Sequence, residues 1–534
     1  MKSRLIIACS TLLLLMINVS LASQIELSLT LEGLANETVQ PGRHNLSVFV
    51  SNRADEPLGQ SVADISLSRL HEGELRTLEL DIPEVEADGE FISKVAVDMD
   101  GPGLYTASCT LGRDGKVAEA EIDIPVSLVQ DRWQTWRSGK EMPNKSHRFL
   151  AFYYPWYGNP EYGERWFHWE PDNEYASTHV PLIGFYDSRS EEVMRYHIRL
   201  AQSVGFDGFI SSWWGPGAYT DRAFEEMLPV ARDMGFYLTV YFEIAHDIEH
   251  LEEQLRYLLT RYGDHPAFMK VDGRPVIFIY GRVIGEFEIE DFSQVFARLE
   301  SEGLPAFYMA DRLDEDYLDV FDGLHTYSPL RAMGDYPEVN AQCQEANKTF
   351  AATLAPGYDD TIIRVPGLVV DRENGTYYLD SWETVMLTQP DWVLVTSWNE
   401  WHEGSEIEPS LEHGDLYLNL TERYYTLFEN GRLTPRLERR IEEMEEMFSA
   451  AGDLVQRAKD AGMDTRIIQR DYDIARKAWQ RFDYEVTRMY LQRILDREEE
   501  IPEIGGLGLV TFLVSLMPLC DYICKRDRSS MSRP

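Results

Sequence analysis

From Arg148 the chain alternates between short apolar runs and amphipathic stretches, and this rhythm leaves few folds open. The apolar runs are Phe149–Tyr157, Gly208–Trp214, Tyr237–Ile244, Pro275–Tyr280, Ala306–Ala310, Gly323–Tyr327, Phe350–Ala355 and Trp392–Ser397. Continuous apolar runs of this length read as strands buried on both faces, the situation of a parallel sheet covered by helices. Helical spacing of apolar residues falls between most of them, over Glu191–Val204, Ala223–Met234, Ile248–Tyr262, Phe292–Glu302 and Tyr378–Thr388, with a last helix at Leu416–Phe428. Pro329–Ala346, where a sixth helix is due, is irregular. Eight strand–helix units over about 280 residues predict an α/β fold, a (β/α)8 TIM barrel assigned to residues 148–430. A doubly wound sheet is the alternative, but no glycine-rich phosphate loop follows the first strand.

The rest of the 534-residue chain divides around this barrel. Residues 24–129 read as all-β: Ile25–Leu31, Leu46–Val50 and Phe91–Val97 alternate, and turn residues such as Pro41-Gly42 and Asp88-Gly89 separate them. About seven strands are expected, in a sandwich resembling immunoglobulin or fibronectin modules and serving as an accessory domain. A polar linker, 130–147, follows. Residues 432–500 are charged and nearly free of glycine, with apolar residues at helical spacing; they predict a two-helix hairpin, broken at Gly462, as a stalk. At the N-terminus a basic Met1–Arg4, an apolar Leu5–Val19 and a small-x-small Ser20-Leu-Ala22 predict a signal peptide over 1–22. At the other end Ile504–Cys520 has no charge and is followed by Lys525, Arg526 and Arg528. That pattern predicts a C-terminal membrane span over 504–524, anchoring an exported protein at the cell surface with the barrel outside.

The formal net charge of −41, from 91 acidic and 50 basic residues, argues against nucleic acid or an anionic membrane surface as partner, since both need basic patches. Cys109 and Cys343 fall in separate domains, so the cysteines form neither a disulfide framework nor a zinc spacing. Barrels of this class carry their sites at the C-terminal ends of the strands. Those ends hold Tyr153-Tyr-Pro-Trp-Tyr-Gly-Asn-Pro160, Ser212-Trp-Trp-Gly-Pro-Gly217, Tyr241-Phe-Glu243, Asp311, His325-Thr-Tyr327, Pro356-Gly-Tyr-Asp-Asp360 and Asn399-Glu-Trp-His-Glu403. Aromatics and carboxylates dominate and cations are scarce, which suits a neutral polyhydroxylated ligand rather than a phosphorylated one. Glu400 and Glu403 are three residues apart, and in a helical turn that spacing sets Cβ atoms about 5–6 Å apart on one side. Two carboxyl groups roughly 5 Å apart flanking a sugar are what a retaining glycosidase needs. A solvated acidic loop is the plain alternative; the apolar strand and aromatics around the pair argue against it.

With those segments in hand, residues 148–428 resemble glycoside hydrolase family 99, the endo-α-mannosidase and endo-α-mannanase family. The matching segments are Tyr153–Pro160, Phe167-His-Trp169, Tyr186-Asp-Ser-Arg189, Ser212–Gly217, Pro356–Asp360 and Asn399–Gly404, in order. The resemblance implies a barrel that cleaves α-mannosidic linkages inside a glycan, with retention and with neither metal nor cofactor. It implies Glu400 as the base that takes the proton of the sugar's 2-hydroxyl, giving a 1,2-anhydro sugar, and Glu403 as the acid/base for the leaving oxygen and the incoming water. It implies Glu243 as a carboxylate on substrate hydroxyls and Trp213 or Trp214 as a stacking wall. Tyr154, His168, Tyr327 and Tyr358 complete the candidate substrate-binding set. His402 is a candidate for orienting the two glutamates. The family often has Thr and Gln where this chain has Ser405 and Glu406. A non-catalytic glycan-binding barrel is the second reading. A metal-dependent hydrolase would need a His-x-His cluster, whereas His168, His325 and His402 are scattered in sequence.

Overall fold

The computed structural model describes residues 25–502, leaving out 32–38, 40, 70–72, 102, 113–117, 127–141, 143–146, 161, 164 and 170–176. Alternating residues in the N-terminal region build seven strands: β1 (Ile25–Leu31), β2 (Gly42–Asn52), β3 (Ser61–Arg69), β4 (Gly73–Ile82), β5 (Glu90–Met99), β6 (Gly103–Leu111) and β7 (Ala118–Val126). They pair antiparallel in two sheets, ordered β1-β2-β5 and β4-β3-β6-β7. Every second residue of a strand points inward; Leu46, Val48 and Val50 of β2 therefore meet Ala63, Ile65 and Leu67 of β3 in one core. Cys109 lies in that core as a free thiol, pushed up to about 12 by burial, so it is held in its unreactive form. At the start of β6, Leu104 packs with Val180 and Leu411, which joins the sandwich to the barrel.

The barrel strands are β8 (Arg148–Tyr153), β9 (Gly208–Trp213), β10 (Tyr237–Phe242), β12 (Arg274–Ile279), β13 (Phe307–Asp311), β14 (Gly323–His325), β15 (Thr349–Leu354) and β18 (Trp392–Val395). Each pairs in parallel with its neighbour, and β10 pairs with β12 to close the ring. Short β11 (Lys270–Val271) folds back on β12, and β16 (Tyr358–Asp359) pairs with β17 (Val369–Val370) in a hairpin above β15. The covering helices are α1 (Glu191–Ser203), α2 (Tyr219–Met234), α3 (Ile248–Arg261), α4 (Gly281–Ile284), α5 (Ile289–Ser301), α6 (Tyr336–Glu345), α7 (Thr376–Thr388) and α8 (Leu416–Glu429). Helix α3 shows the local logic. Asp247 caps it by accepting the His250 N–H, and Leu251, Leu255, Leu258 and Leu259 make its buried stripe. Helix α2 stops where Gly235 takes the left-handed conformation that a Cβ disfavours. The irregular Pro329–Ala346 stretch is two 3-10 turns followed by α6, and a further 3-10 turn, Glu315–Asp319, replaces a helix between β13 and β14.

Residues from 439 onward group as a second compact unit. Helix α9 (Pro435–Asp460) runs into it, followed by α10 (Arg466–Gln480) and α11 (Tyr484–Leu495). The single helix expected after Gly462 is therefore two, and the stalk is not a two-helix hairpin. Phe482 sits at φ 59, a left-handed conformation that ends α10, and the Asp483 side chain accepts the Val486 N–H to start α11. Apolar residues continue across this break, with Trp479 buried before it and Leu491 and Ile494 after it, so periodicity alone could not reveal it. Asp471 on α10 is buried and pairs with Arg493 on α11 at 3.4 Å. Among the described residues no helix is long and apolar enough to cross a membrane. The expected signal peptide at 1–22 and span at 504–524 lie outside the described residues.

Candidate active site

The strand β18 ends at Val395, and the chain then turns across the C-terminal mouth of the barrel. Three anchors hold this turn. Asn399 grips the end of β8 with both ends of its amide, accepting the Tyr154 N–H at 2.7 Å and donating to the Tyr154 carbonyl at 3.1 Å. The Tyr157 hydroxyl donates to the Asn399 carbonyl and accepts the Trp401 N–H, each at 3.1 Å. Ser397 Oγ accepts the Glu400 N–H at 2.7 Å. Below them Glu408 accepts from Tyr186 at 2.8 Å and meets His197 at 3.0 Å, all buried. A loop tied this closely presents its side chains in fixed directions.

Trp401–Glu403 is a single 3-10 turn with Glu400 as its N-cap, so both glutamates start from one turn. Glu400 is buried; its Oε1 accepts the His402 N–H at 3.2 Å and lies 3.5 Å from His402 Nδ1. Burial, then the adjacent Glu403 carboxylate, push Glu400 well above the usual carboxylate range. Glu403 is partly open to solvent. It accepts from Tyr327 at 3.3 Å and forms an ion pair with Arg364 at 3.0 Å. Glu243, just past β10, accepts from Ser212 at 2.9 Å, and burial pushes it up to about 8. It is therefore a neutral carboxyl at neutral pH, able to donate a hydrogen bond. His168 is pushed down to about 4 by burial and by His402, and its ring is neutral too.

Aromatic rings wall this space. Trp156 stacks on His168 at 4.8 Å and lies against Tyr154 at 4.7 Å and Trp214 at 6.5 Å. Tyr327 stands on Tyr241 at 5.7 Å. Of the residues the sequence singled out, Glu400, Glu403, Glu243, Trp214, Tyr154, His168 and Tyr327 converge here. Tyr358 joins through Arg364, which donates to its hydroxyl at 2.6 Å. Trp213 does not join them. Its ring is fully buried on the helix side of β9, donating to Asp221 at 2.8 Å and stacking on Tyr257 at 6.1 Å. Neighbouring strand residues point to opposite faces, and since Ser212 faces Glu243 inside the barrel, Trp214 shares its side and Trp213 cannot.

Sequence reasoning missed Trp156, which stood inside a quoted segment, and two arginines. Arg282 follows β12, lies over the Trp214 ring at 5.1 Å and donates to the Glu243 carbonyl at 3.0 Å. Arg364 belongs to the loop between β16 and β17 and is held by Asp360 as well as Glu403. Cations are thus present at the mouth, each already engaged by an acceptor or a ring. Replacing Trp214 by Ala is expected to remove about 1 kcal/mol of ring contact with substrate, lowering kcat/KM roughly fivefold at unchanged thermal stability. Trp213→Phe should leave kcat/KM unchanged and cost about 1 kcal/mol in urea unfolding, through the lost Asp221 hydrogen bond.

Comparison with known proteins now bears on this arrangement. The profile of glycosyl hydrolase family 99 matches residues 170–425. The barrel of this chain belongs to that family. The chain is similar to the glycoprotein endo-alpha-1,2-mannosidase of Mus musculus, 26% identical over 56% of this chain and 79% of the relative. Its likeness to the Xenopus laevis protein of the same description is 27% over 51% of this chain and 72% of the relative. Among solved structures, the GH99 endo-alpha-mannosidase from Bacteroides thetaiotaomicron is 26% identical, with a TM-score of 0.50, over 54% of this chain and 98% of that one. The chain is accordingly a glycoside hydrolase, and the profile match leaves the sandwich and the C-terminal helices outside it.

Proposed function

We propose that this family 99 glycoside hydrolase is a retaining endo-α-mannosidase whose catalytic pair is Glu400 and Glu403. One observation carries the reading: two carboxylates rise from one 3-10 turn at the barrel mouth, in unlike surroundings, beside the neutral Glu243 and a wall of rings. The mannosidic specificity is drawn from the names of the mouse and frog relatives. In this reading Glu400 takes the proton of the 2-hydroxyl, and the 2-oxygen closes on C1 as the C1–oxygen bond to the leaving sugar breaks. Glu403 gives that departing oxygen its proton. It then takes a proton from water, whose oxygen opens the 1,2-anhydro ring while Glu400 returns its proton to the 2-oxygen. Glu243 donates to a sugar hydroxyl, and Trp214 and Trp156 line the ring faces.

A second reading exchanges the two roles, and the burial of Glu400 favours it. Burial raises the Glu400 carboxyl above the usual range, the direction in which a general acid is tuned. The test of the endo-mannosidase reading uses the full-length chain on an α-mannan and on α-linked gluco-mannosyl oligosaccharides. Oligosaccharide products whose new reducing end is first α by NMR are expected. Release of single mannose units, or binding of these glycans without any release, would sink it in favour of an exo-acting enzyme or a glycan-binding barrel.

A further inference from the structure

Behind the catalytic turn lies a second cluster that the proposed reaction does not use. His179, Glu406 and His413 each bring one ligating atom to a common point, all of these atoms lying within 4.8 Å of one another. His179 Nδ1 stands 2.8 Å from Glu406 Oε1, and the two imidazoles meet edge to face with centroids 4.6 Å apart. Glu406 is 1% exposed, and among the described residues its second oxygen, Oε2, has no hydrogen-bond partner. Nor has His413 Nε2, also buried. A buried polar atom left unpartnered is costly, so two of them within one small cluster call for a ligand. Arg372 occupies only Glu406 Oε1, at 2.7 Å. Glu412 lies beside the cluster too, accepting the Val180 N–H at 3.0 Å.

We infer that His179, Glu406 and His413 form a structural site for a zinc-class divalent cation. Two imidazole nitrogens and one carboxylate oxygen are a donor set that suits Zn²⁺, with water completing a tetrahedron. The cation ties three pieces of chain together: the 177–182 segment, the end of the catalytic turn at Glu406, and the Ser410–Gly414 turn. It acts on the loop that presents Glu400 and Glu403 and touches no substrate, so the inference stands whether or not the mannosidase reading does.

The test is zinc binding by the full-length chain after chelation, read by calorimetry, by metal analysis and by the visible spectrum of the cobalt-substituted protein. One equivalent of Zn²⁺ is expected, raising the melting temperature by several degrees, and Co²⁺ should give the intense absorption of a four-coordinate site. His179→Ala, His413→Ala and Glu406→Gln should each weaken binding by on the order of 100-fold, and His179, being partly exposed, is the position at which the variant should keep its fold. The double variant His246→Ala/His250→Ala removes a histidine pair away from this cluster, stacked at 4.8 Å, and should bind as wild type does. The inference is overturned if no equivalent binds at micromolar zinc, which would make the cluster a water site. It is equally overturned if binding follows the His246/His250 pair or survives loss of His179.

Discussion

Glu403→Gln is expected to lower turnover of oligosaccharide by 10²–10⁴-fold, the usual worth of a positioned proton donor, and to recover most of it on an activated substrate. An α-mannobioside carrying a dinitrophenolate leaving group departs without a proton. On it the variant lacking the acid should come within about tenfold of wild type in kcat/KM for phenolate release, because that quantity ends at departure and the activation of water comes after it. Glu400→Gln should lose a similar 10²–10⁴-fold on both substrates, since removal of the 2-hydroxyl proton is required whatever leaves. The comparison separates the two role assignments, because rescue marks the acid. Rescue of Glu400→Gln in place of Glu403→Gln would establish the exchanged assignment that the buried Glu400 favours. Full activity of either variant on oligosaccharide would remove that residue from the pair altogether.

The second large effect is on stability rather than rate. Native Glu243 keeps its proton up to about 8, against 4.5 for an unperturbed glutamate. Between those values the native chain binds more protons than the unfolded one, so this residue makes stability fall as pH rises. The full effect, reached above pH 8, is about 3–5 kcal/mol for a fully buried group. Glu243→Gln cannot ionise and keeps an oxygen able to accept from Ser212. Urea unfolding should therefore find the variant close to wild type near pH 4.5 and more stable by a few kcal/mol at pH 8.5. A stability difference that does not change with pH would mean that Glu243 is charged in the native state. In activity, Gln should be tolerated better than Ala at this position, because it preserves a neutral hydrogen-bonding side chain facing the sugar.

Some of this protein could be read directly from its residues. The eight barrel strands could be placed because strands buried on both faces must be apolar throughout; Phe149-Leu-Ala-Phe152 and Val393-Leu-Val395 leave no other reading. The catalytic candidates could be named because barrel chemistry sits at strand ends, and a glutamate pair one helical step apart follows the eighth strand. Where the pattern was local and repeated, sequence sufficed. It failed at Phe482, where one left-handed residue broke a helix without disturbing the apolar spacing around it.

Tertiary structure decided what depends on facing and on distant pairs of residues. Trp213 and Trp214 are adjacent and alike, and only the closure of the barrel turns one toward the helices and the other toward the mouth. Arg364 reaches Glu403 because the β16–β17 hairpin folds over the mouth, across 39 positions in the chain. His179 and Glu406 meet across 227 positions. No periodicity or spacing encodes such meetings, because they are set by where separate strand ends arrive once the ring has closed. The sequence by itself determined the barrel and its two glutamates through burial pattern and local spacing; the closed ring alone determined their surroundings, burying Glu400 and leaving Glu403 partly open beside Arg364.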